Sequence, residues 1–234
     1  MDISKYIITT RPEIKFKSVK TECISIRNVP LTEIIIPGRQ ENIVQDIIKN
    51  KPLVVVLTSS IGAREFFKYY YKYIENPHII AIGNQTAVEI KKYTGKVSVP
   101  MVMNSYGVIN LLENYLNFRI SLFRSNESNN ILNEWLESHN ANFNEYYLYR
   151  VVKIENTHIK ELFLNDECKG ILLTSSMEAR IFCDEMGDVD INKKIYSIGK
   201  VTTETLHNLG YDVYFTGSSN FESMIKYIDN ENCK

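Results

Sequence analysis

Residues 57–64 read LTSSIGAR and residues 173–180 read LTSSMEAR, so one chain carries the same short word twice. Six of the eight letters agree, and the two copies start 116 positions apart. Each copy follows a run of β-branched residues and precedes an amphipathic helical pattern. The spacing is too long for a solenoid, whose repeats are roughly 20–50 residues. The repeat therefore predicts two related domains.

The repeat extends beyond these two words. Residues 79–95 correspond to 195–210, and residues 96–116 correspond to 211–228, in the same order. Each unit has a short apolar run, then small polar residues, then an amphipathic helix, and this alternation is typical of parallel strands in βα units. The sequence predicts an α/β protein with two similar doubly wound parallel-sheet domains. The expected helix N-caps are Ser60, Asn84, Ser105, Ser176 and Ser219.

The domain boundaries follow from a third correspondence. Residues 5–30 and residues 119–152 share the order strand, polar turn, helix and strand. If they are equivalent, one domain is residues 37–149, and the other combines residues 1–30 with 155–234. The connectors are then residues 31–36 and 150–154, two β-rich segments expected to lie side by side as a hinge.

Composition excludes several classes of protein. The 234 residues carry a formal net charge of -1 without a basic run, so we expect no nucleic-acid partner. The longest unbroken apolar run, LVVVL, is too short to cross a bilayer, so we expect no membrane contact. The N-terminal segment MDISKYIITTRP lacks the apolar core of a signal peptide, which predicts a cytoplasmic protein.

The sequence offers no metal or nucleotide-cofactor motif. The four histidines are scattered, and neither GxGxxG nor GxxxxGK[ST] nor GxSxG occurs. We therefore expect no metal and no dinucleotide cofactor. The four cysteines are also scattered without a CxxC, which predicts reduced thiols, at Cys23, Cys168, Cys183 and Cys233.

Ligands of open parallel sheets bind beyond the carboxyl ends of the strands. Hydroxyls, helix N-terminal N–H groups and one arginine per domain collect at that edge in both predicted domains, which favours an anionic ligand. Serines and threonines at helix starts can also be simple caps, but T-S-S and G-x-x-T occur in both copies. The candidate binding residues from this pattern are Arg11, Thr58, Ser59, Thr86, Ser105, Arg124, Ser175 and Thr202.

The order and spacing of these pieces resemble the uroporphyrinogen-III synthase family over nearly the whole chain. The resemblance rests on ITTRP, VVVLTSSIGAREFF, IIAIGNQTAVEI, SYGVINLL, LFRSNES, YLYRVV, GILLTSSMEARIF and YSIGKVTTETLHNLGYDVYFT. It implies two doubly wound domains joined by a two-stranded connector, and a cofactor-free monomeric lyase of tetrapyrrole biosynthesis. The implied reaction removes water from hydroxymethylbilane, inverts ring D and closes uroporphyrinogen III in the interdomain cleft.

The resemblance also assigns residue roles. The tyrosine of the Y-R pair in YLYRVV falls on Tyr149, which is the candidate proton donor to the departing hydroxyl. A family lysine near the site falls on Lys194, and Val201 replaces the first threonine of the usual G-x-T-T word. Arg11 and Arg124 are carboxylate-clamp candidates. The remaining substrate-binding positions implied are Thr58, Ser59, Thr86, Ser175 and Thr202.

Two other classes remain open from the sequence. Duplicate α/β lobes with two connectors also suit a non-enzymatic ligand-binding or sensor module for an anionic small molecule. A glycosyl- or phosphoryl-transferase is a further alternative, although the strand ends lack acidic residues. The partners expected are a small-molecule tetrapyrrole and, in a transient contact, the preceding enzyme of the pathway.

Overall fold

The computed structural model describes residues 4–155 and 157–233. The chain divides into two compact units. The continuous unit is Ile35–Val151, and the discontinuous unit contains the described residues up to Ile34 and from Val152 onward. Both divisions fall inside the predicted connectors at residues 31–36 and 150–154.

Short strands alternate with helices along the chain. The strands are β1 (Tyr6–Thr9), β2 (Ser25–Asn28), β3 (Thr32–Ile35), β4 (Val54–Leu57), β5 (His78–Ala81), β6 (Ile120–Ser125), β7 (Phe143–Lys153), β8 (Cys168–Leu173), β9 (Lys194–Ser197) and β10 (Phe215–Thr216). The helices are α1 (Glu41–Asn50), α2 (Ser60–Tyr69), α3 (Asn84–Ile90), α4 (Ser105–Leu112), α5 (Ile131–Ser138), α6 (Ile159–Leu164), α7 (Ser176–Met186), α8 (Lys200–Asn208) and α9 (Phe221–Asn232). Short 3-10 turns occupy Glu13–Lys15, Tyr71–Tyr73 and Glu113–Tyr115. Within the described residues no helix is long and apolar enough to span a membrane.

The strands form two five-stranded sheets with related orders. One sheet runs β10-β9-β8-β1-β2, and the other runs β3-β7-β6-β4-β5. The pairs β1–β2, β1–β8, β8–β9 and β9–β10 are parallel in the first sheet, and β4–β5, β4–β6 and β6–β7 are parallel in the second. The prediction of two parallel-sheet α/β domains is therefore confirmed.

Both faces of the discontinuous unit's sheet are covered by helices. Ile8 and Ile171 on one face pack with side chains of α6, α7 and α8. Ile7 and Leu172 on the other face pack with Phe221 and other side chains of α9. Because successive side chains of a strand point to opposite faces, a strand buried on both sides needs a continuous apolar run. The runs YIIT and GILL meet that need, and this layering is the doubly wound arrangement.

Two local predictions were wrong. The run KVSV at residues 96–99 has the composition of a strand, but it makes only one isolated bridge, between Ser98 and Ile80. The helix N-caps lie one residue from the expected positions, because the extended residue before the helix supplies the cap. The observed N-caps at these five helices are Ser59, Gly83, Asn104, Ser175 and Asn220.

The expectation of four reduced cysteines was also wrong. Cys23 and Cys233 form a disulfide, whereas Cys168 and Cys183 are free and buried. Sequence spacing could not reveal this pair because the two cysteines are 210 positions apart. Asp229 reinforces the same link, since its carboxylate accepts hydrogen bonds from the backbone N–H groups of Glu22, Cys23 and Ile24. The bond ties the end of α9 to the segment before β2.

Candidate functional site

The repeated word of the continuous unit lies at the carboxyl end of β4. Thr58 and Ser59 follow this strand and are half-buried. Ser59 Oγ accepts a hydrogen bond from the backbone N–H of Gly62 at 2.9 Å and so caps α2. A hydroxyl that accepts one bond still has its proton to donate. The cap therefore orients the Ser59 hydroxyl and leaves it able to bind an anion.

Tyr149 lies beside this cap. Its residue pairs with Ser125 at the carboxyl end of β6, and its side chain is only 5% exposed. A Cβ on Gly62 would lie 3.9 Å from Cε1 of Tyr149 and 3.1 Å from Oγ of Ser59. The Tyr149 ring thus lies against the first turn of α2 at Gly62, where a Cβ would be in ordinary van der Waals contact with it. The structure brings the candidate proton donor and one candidate binding hydroxyl together.

The next two helices of this unit begin at the same edge. Gly83 is the N-cap of α3 and provides no side-chain cap, while Thr86 is 4% exposed, so little of its side chain reaches solvent. Asn104 caps α4 through Gly107 N–H at 3.1 Å. Ser105 is 5% exposed and donates to Asn129 Oδ1 at 3.1 Å. Ser105 therefore has its hydroxyl proton committed to the protein, contrary to the binding role expected of it.

Arg124 is not placed as a carboxylate clamp, so that prediction is corrected. Its side chain is 2% exposed. One terminal nitrogen donates to Asn133 Oδ1 at 2.6 Å and pairs with Glu145 at 3.0 Å, and the other donates to the backbone oxygen of Asn129 at 2.6 Å. A guanidinium with these partners is committed to the protein interior. Arg124 fastens the turn after β6 to β7 and α5.

In the discontinuous unit the second copy of the word makes a different arrangement. Ser175 caps α7 by accepting from the backbone N–H of Glu178 at 3.2 Å. Glu178 is 2% exposed, and one carboxyl oxygen accepts from Thr10 Oγ1 at 2.6 Å and from the N–H and hydroxyl of Thr174 at 2.9 Å each. Burial raises the pKa of Glu178, and these hydrogen bonds act in the opposite direction.

Arg11 lies close to this buried carboxyl group. Its guanidinium carbon is 4.5 Å from the centroid of the Phe221 ring. Burial lowers the pKa of Arg11, and the charge of Glu178 raises it. The ion pairs formed among residues 4–155 and 157–233 do not include Arg11. Of the two candidate clamps, Arg11 is thus the one with a guanidinium left for an external carboxylate.

The second G-x-x-T word begins α8 without a side-chain cap. Gly199 is the N-cap, and a Cβ there would lie 2.6 Å from Ser219 Oγ, so a larger residue would require the Ser219 side chain to move. Thr202 is 4% exposed, whereas Val201 is 70% exposed at the first turn. Val201 stands where the resemblance implies a threonine, so the exposed position of this word carries an apolar side chain in place of a hydroxyl.

Lys194 lies at the wrong end of its strand for the role expected of it. It is the first residue of β9, and the carboxyl end is Ser197, about 10 Å farther along at a rise of roughly 3.3 Å per residue. Its ammonium group pairs with Glu231 at 3.3 Å and lies 4.2 Å from the centroid of the Tyr214 ring. Lys194 also lines an open cavity formed by residues 187–195 and 209–214, at that same amino end. The structure gives Lys194 a role in anchoring α9.

Sequence reasoning missed two residues of the edge. Gly62 and Glu178 occupy the same position of the repeated word, and that position is one of only two at which the copies differ. Gly62 lies against the Tyr149 ring, and Glu178 accepts hydrogen bonds from Thr10 and Thr174. The difference between the two copies is visible in the sequence. Its structural role is not, because the contacting residues Tyr149 and Thr10 are far away along the chain.

Comparison with known proteins identifies the family of this chain. The family model described as uroporphyrinogen-III synthase HemD matches residues 25–226. The chain belongs to this family. A Methanocaldococcus jannaschii protein that bears the provisional name uroporphyrinogen-III synthase is 29% identical over 118 residues, which are 46% of this chain and 47% of that protein. The alignment thus spans about half the length of this curated relative of the HemD family.

Solved structures of the HemD family share the fold. A mutant uroporphyrinogen III synthase from the extremely thermophilic bacterium Thermus thermophilus superposes with a TM-score of 0.72, at 11% identity, covering 98% of each chain. The uroporphyrinogen-III synthetase of Helicobacter pylori 26695 superposes with a TM-score of 0.65, at 17% identity, covering 97% of this chain and 99% of the other. These identities are low, so the likeness establishes the architecture of the HemD family and leaves the site to be argued from its own residues.

Proposed function

We propose that this protein is a uroporphyrinogen-III synthase, a lyase that converts hydroxymethylbilane to uroporphyrinogen III. Membership of the HemD family supports the reaction, and the observation that carries it here is the packing of Tyr149 beside Ser59 and Gly62. The substrate is a linear tetrapyrrole whose side chains end in carboxylates. Such a molecule needs many neutral donors, and the carboxyl edge of each sheet, taken by itself, presents hydroxyls and helix N–H groups.

Substrate binding in this proposal relies on donors rather than on a strongly basic surface. Thr58 and Ser59 in one unit, and Ser175 in the other, offer hydroxyls next to the amino ends of α2 and α7. A helix amino end carries a partial positive charge, which favours a nearby carboxylate by about 0.3–1 kcal/mol. Arg11 adds one full charge. Thr86 and Thr202 contribute less to substrate binding, since both are almost completely buried.

Tyr149 is assigned the proton transfer. The C–O bond of the hydroxymethyl group breaks, and the hydroxyl leaves as water with the phenolic proton of Tyr149. The resulting cation is stabilised by its pyrrole nitrogen, and the substituted α-carbon of ring D attacks it to give a spiro intermediate. The older bond from this carbon to the methylene bridge of the neighbouring ring then breaks, and that bridge rejoins ring D at its other α-carbon, which inverts the ring. The proton lost when the macrocycle closes returns to the tyrosinate. A neutral donor of this kind typically contributes about 10²–10⁴-fold in rate.

The direct test is to supply hydroxymethylbilane and separate the product isomers. The proposal expects the type III isomer in excess over the type I isomer, which forms without the protein. If only the type I isomer forms while the protein still binds the tetrapyrrole, the chain is a two-lobed binding or sensor module for an anionic small molecule.

Location and assembly belong to the same proposal. We infer a cytoplasmic monomer without a cofactor that receives its substrate from the preceding enzyme in a transient contact. The Cys23–Cys233 disulfide bears on the location, because disulfides are rare in reducing compartments. Mass measurement after alkylation of the protein isolated from cells decides it: two blocked thiols match an oxidising compartment, and four match the cytoplasm.

A further inference from the structure

An apolar patch lies next to the polar edge of the continuous unit. It consists of Met101, Val102, Met103 and Tyr106, which are 101%, 55%, 52% and 63% exposed. Three consecutive exposed apolar residues followed by an exposed aromatic ring are unusual on a protein surface, and such patches commonly mark binding sites.

The backbone of this patch is held in place by a close contact. A Cβ on Gly107 would lie 1.8 Å from the backbone oxygen of Val102 and 3.0 Å from Cβ of Pro100, so only glycine fits there. The same oxygen of Val102 accepts a hydrogen bond from the N–H of Asn104 at 2.9 Å. The segment before α4 is therefore fixed against the helix, and its apolar side chains are left facing solvent.

The position of the patch relates it to the candidate site. Met103 packs over Gly83, since a Cβ on that glycine would lie 3.2 Å from Cβ of Met103. Gly83 follows β5, so the patch lies at the carboxyl edge above this strand. Tyr149 lies on β7, three strands away in the order β7-β6-β4-β5. At roughly 4.8 Å per strand, the separation is about 14 Å, which a chain of four linked pyrroles can cover.

We propose that Met101, Val102, Met103 and Tyr106 form the surface on which pyrrole rings of the substrate lie. This inference rests on the function proposed above and adds what holds the rings rather than the carboxylates. A linear tetrapyrrole has flat, electron-rich rings joined by methylene bridges, with carboxylates at the periphery. Methionine sulfur and a tyrosine ring make favourable contacts with aromatic faces, and the neighbouring hydroxyls and N–H groups suit the carboxylates.

The test compares two double variants of the full chain. The patch variant carries Met101→Gln and Tyr106→Gln, and the control carries Ile48→Gln and Phe118→Gln, which are exposed apolar residues of the same unit at 50% and 43%. The measurements are KM for hydroxymethylbilane and Kd for uroporphyrinogen III in equilibrium dialysis without oxygen. Removing two apolar contacts is expected to raise both constants roughly tenfold or more in the patch variant alone.

A ring-free polyanion separates the rings from the carboxylates. Inhibition by 1,2,3,4-butanetetracarboxylate should have the same constant in the patch variant and the wild type. The inference is overturned if KM and Kd of the patch variant equal those of the control, which is also the result expected if the patch binds another protein. It is equally overturned if the inhibition constant rises in step with KM, because the variant then damages the polar edge. Failure of the wild type to form the type III isomer would instead refute the proposed function.

Discussion

The α-carbon of Gly62 faces the ring of Tyr149, and a Cβ placed on the glycine would be 3.9 Å from the tyrosine Cε1 atom. The matching position of the other repeat is Glu178, whose carboxyl group is buried against Thr10. One duplicated helix start thus admits an aromatic ring, and the other contains an acid. The two edges have become chemically different although their words remain nearly the same.

Copying the second word into the first should disable the reaction. Gly62→Glu places a side chain where the Tyr149 ring packs, and a displacement of about 1 Å at a reacting group can cost about 10²-fold in rate. We expect kcat for type III formation to fall by that order. Gly95→Ala is the matched control, because no atom lies within 4 Å of a Cβ there. A Gly62→Glu protein with wild-type kcat would contradict the packing argument.

Removing the phenol of Tyr149 should separate chemistry from binding. Tyr149→Phe keeps the ring but has no proton to donate, so kcat should fall by about 10²–10⁴-fold while Kd for uroporphyrinogen III stays near wild type. Tyr147→Phe is the control, since Tyr147 is 46% exposed and donates to Glu145. Equal rates for the two variants would assign Tyr149 to packing alone.

The two arginines should respond differently to substitution. Arg124→Met leaves Glu145 without its buried partner, and breaking such a pair typically costs about 3–5 kcal/mol of unfolding free energy. Arg11→Met should instead raise KM with a small effect on stability. Urea unfolding and steady-state kinetics of both variants check the contrast. A stable Arg124→Met protein with a raised KM would restore the clamp role to Arg124.

Glu178 should make stability depend on pH. Its pKa is raised in the folded state, so its contribution is greatest below the unfolded pKa and is lost as pH rises through the folded pKa. Glu178→Gln cannot ionise, so its unfolding free energy should rise relative to that of the wild type as the pH increases from the usual range of a glutamate through the raised pKa of Glu178. The facing charges are Arg11 and Lys15, which favour the ionised form. Parallel stability curves for the two proteins in urea would show that Glu178 has an ordinary pKa.

Reduction of the disulfide should lower stability without stopping the reaction. The bond closes a loop of 210 positions, and chain-entropy reasoning gives roughly 5 kcal/mol as an upper value for such a loop. Both Cys23→Ser and treatment with dithiothreitol should lower Tm by the same amount. The Cys183→Ser variant controls for loss of a thiol. An unchanged Tm after reduction would mean that the bond does not constrain the unfolded chain.

The sequence alone predicts those parts of the fold that depend on short stretches of neighbouring residues. Repeated words and short apolar runs predict the parallel strands, since every βα unit carries its own pattern. The strand expected at residues 96–99 did not form beyond the Ser98 bridge, because strand pairing depends on neighbours that composition does not specify.

The candidate site was predictable only where a role follows from position at a strand end. Ser59 and Ser175 follow the carboxyl ends of β4 and β8, as the repeated word indicates, and Tyr149 pairs with Ser125 at the carboxyl end of β6. Arg124 is also near the carboxyl end of its strand, β6. Its partners Asn133 and Glu145 come from other elements, so the sequence around Arg124 does not indicate that it is buried in a hydrogen-bond network. Lys194 is the first residue of β9, so the direction of the chain alone places it at the opposite edge of the sheet.

The discontinuity of one unit has a consequence for synthesis on the ribosome. β1 hydrogen-bonds to β8, and α9 covers the same sheet, so β1 cannot complete its packing until β8 and α9 have been made. The continuous unit contains all its own helices between Ile35 and Val151 and is complete before β8 emerges. We therefore expect nascent chains to acquire protease resistance first in the middle, with β1 becoming protected only after β8 and α9 have emerged.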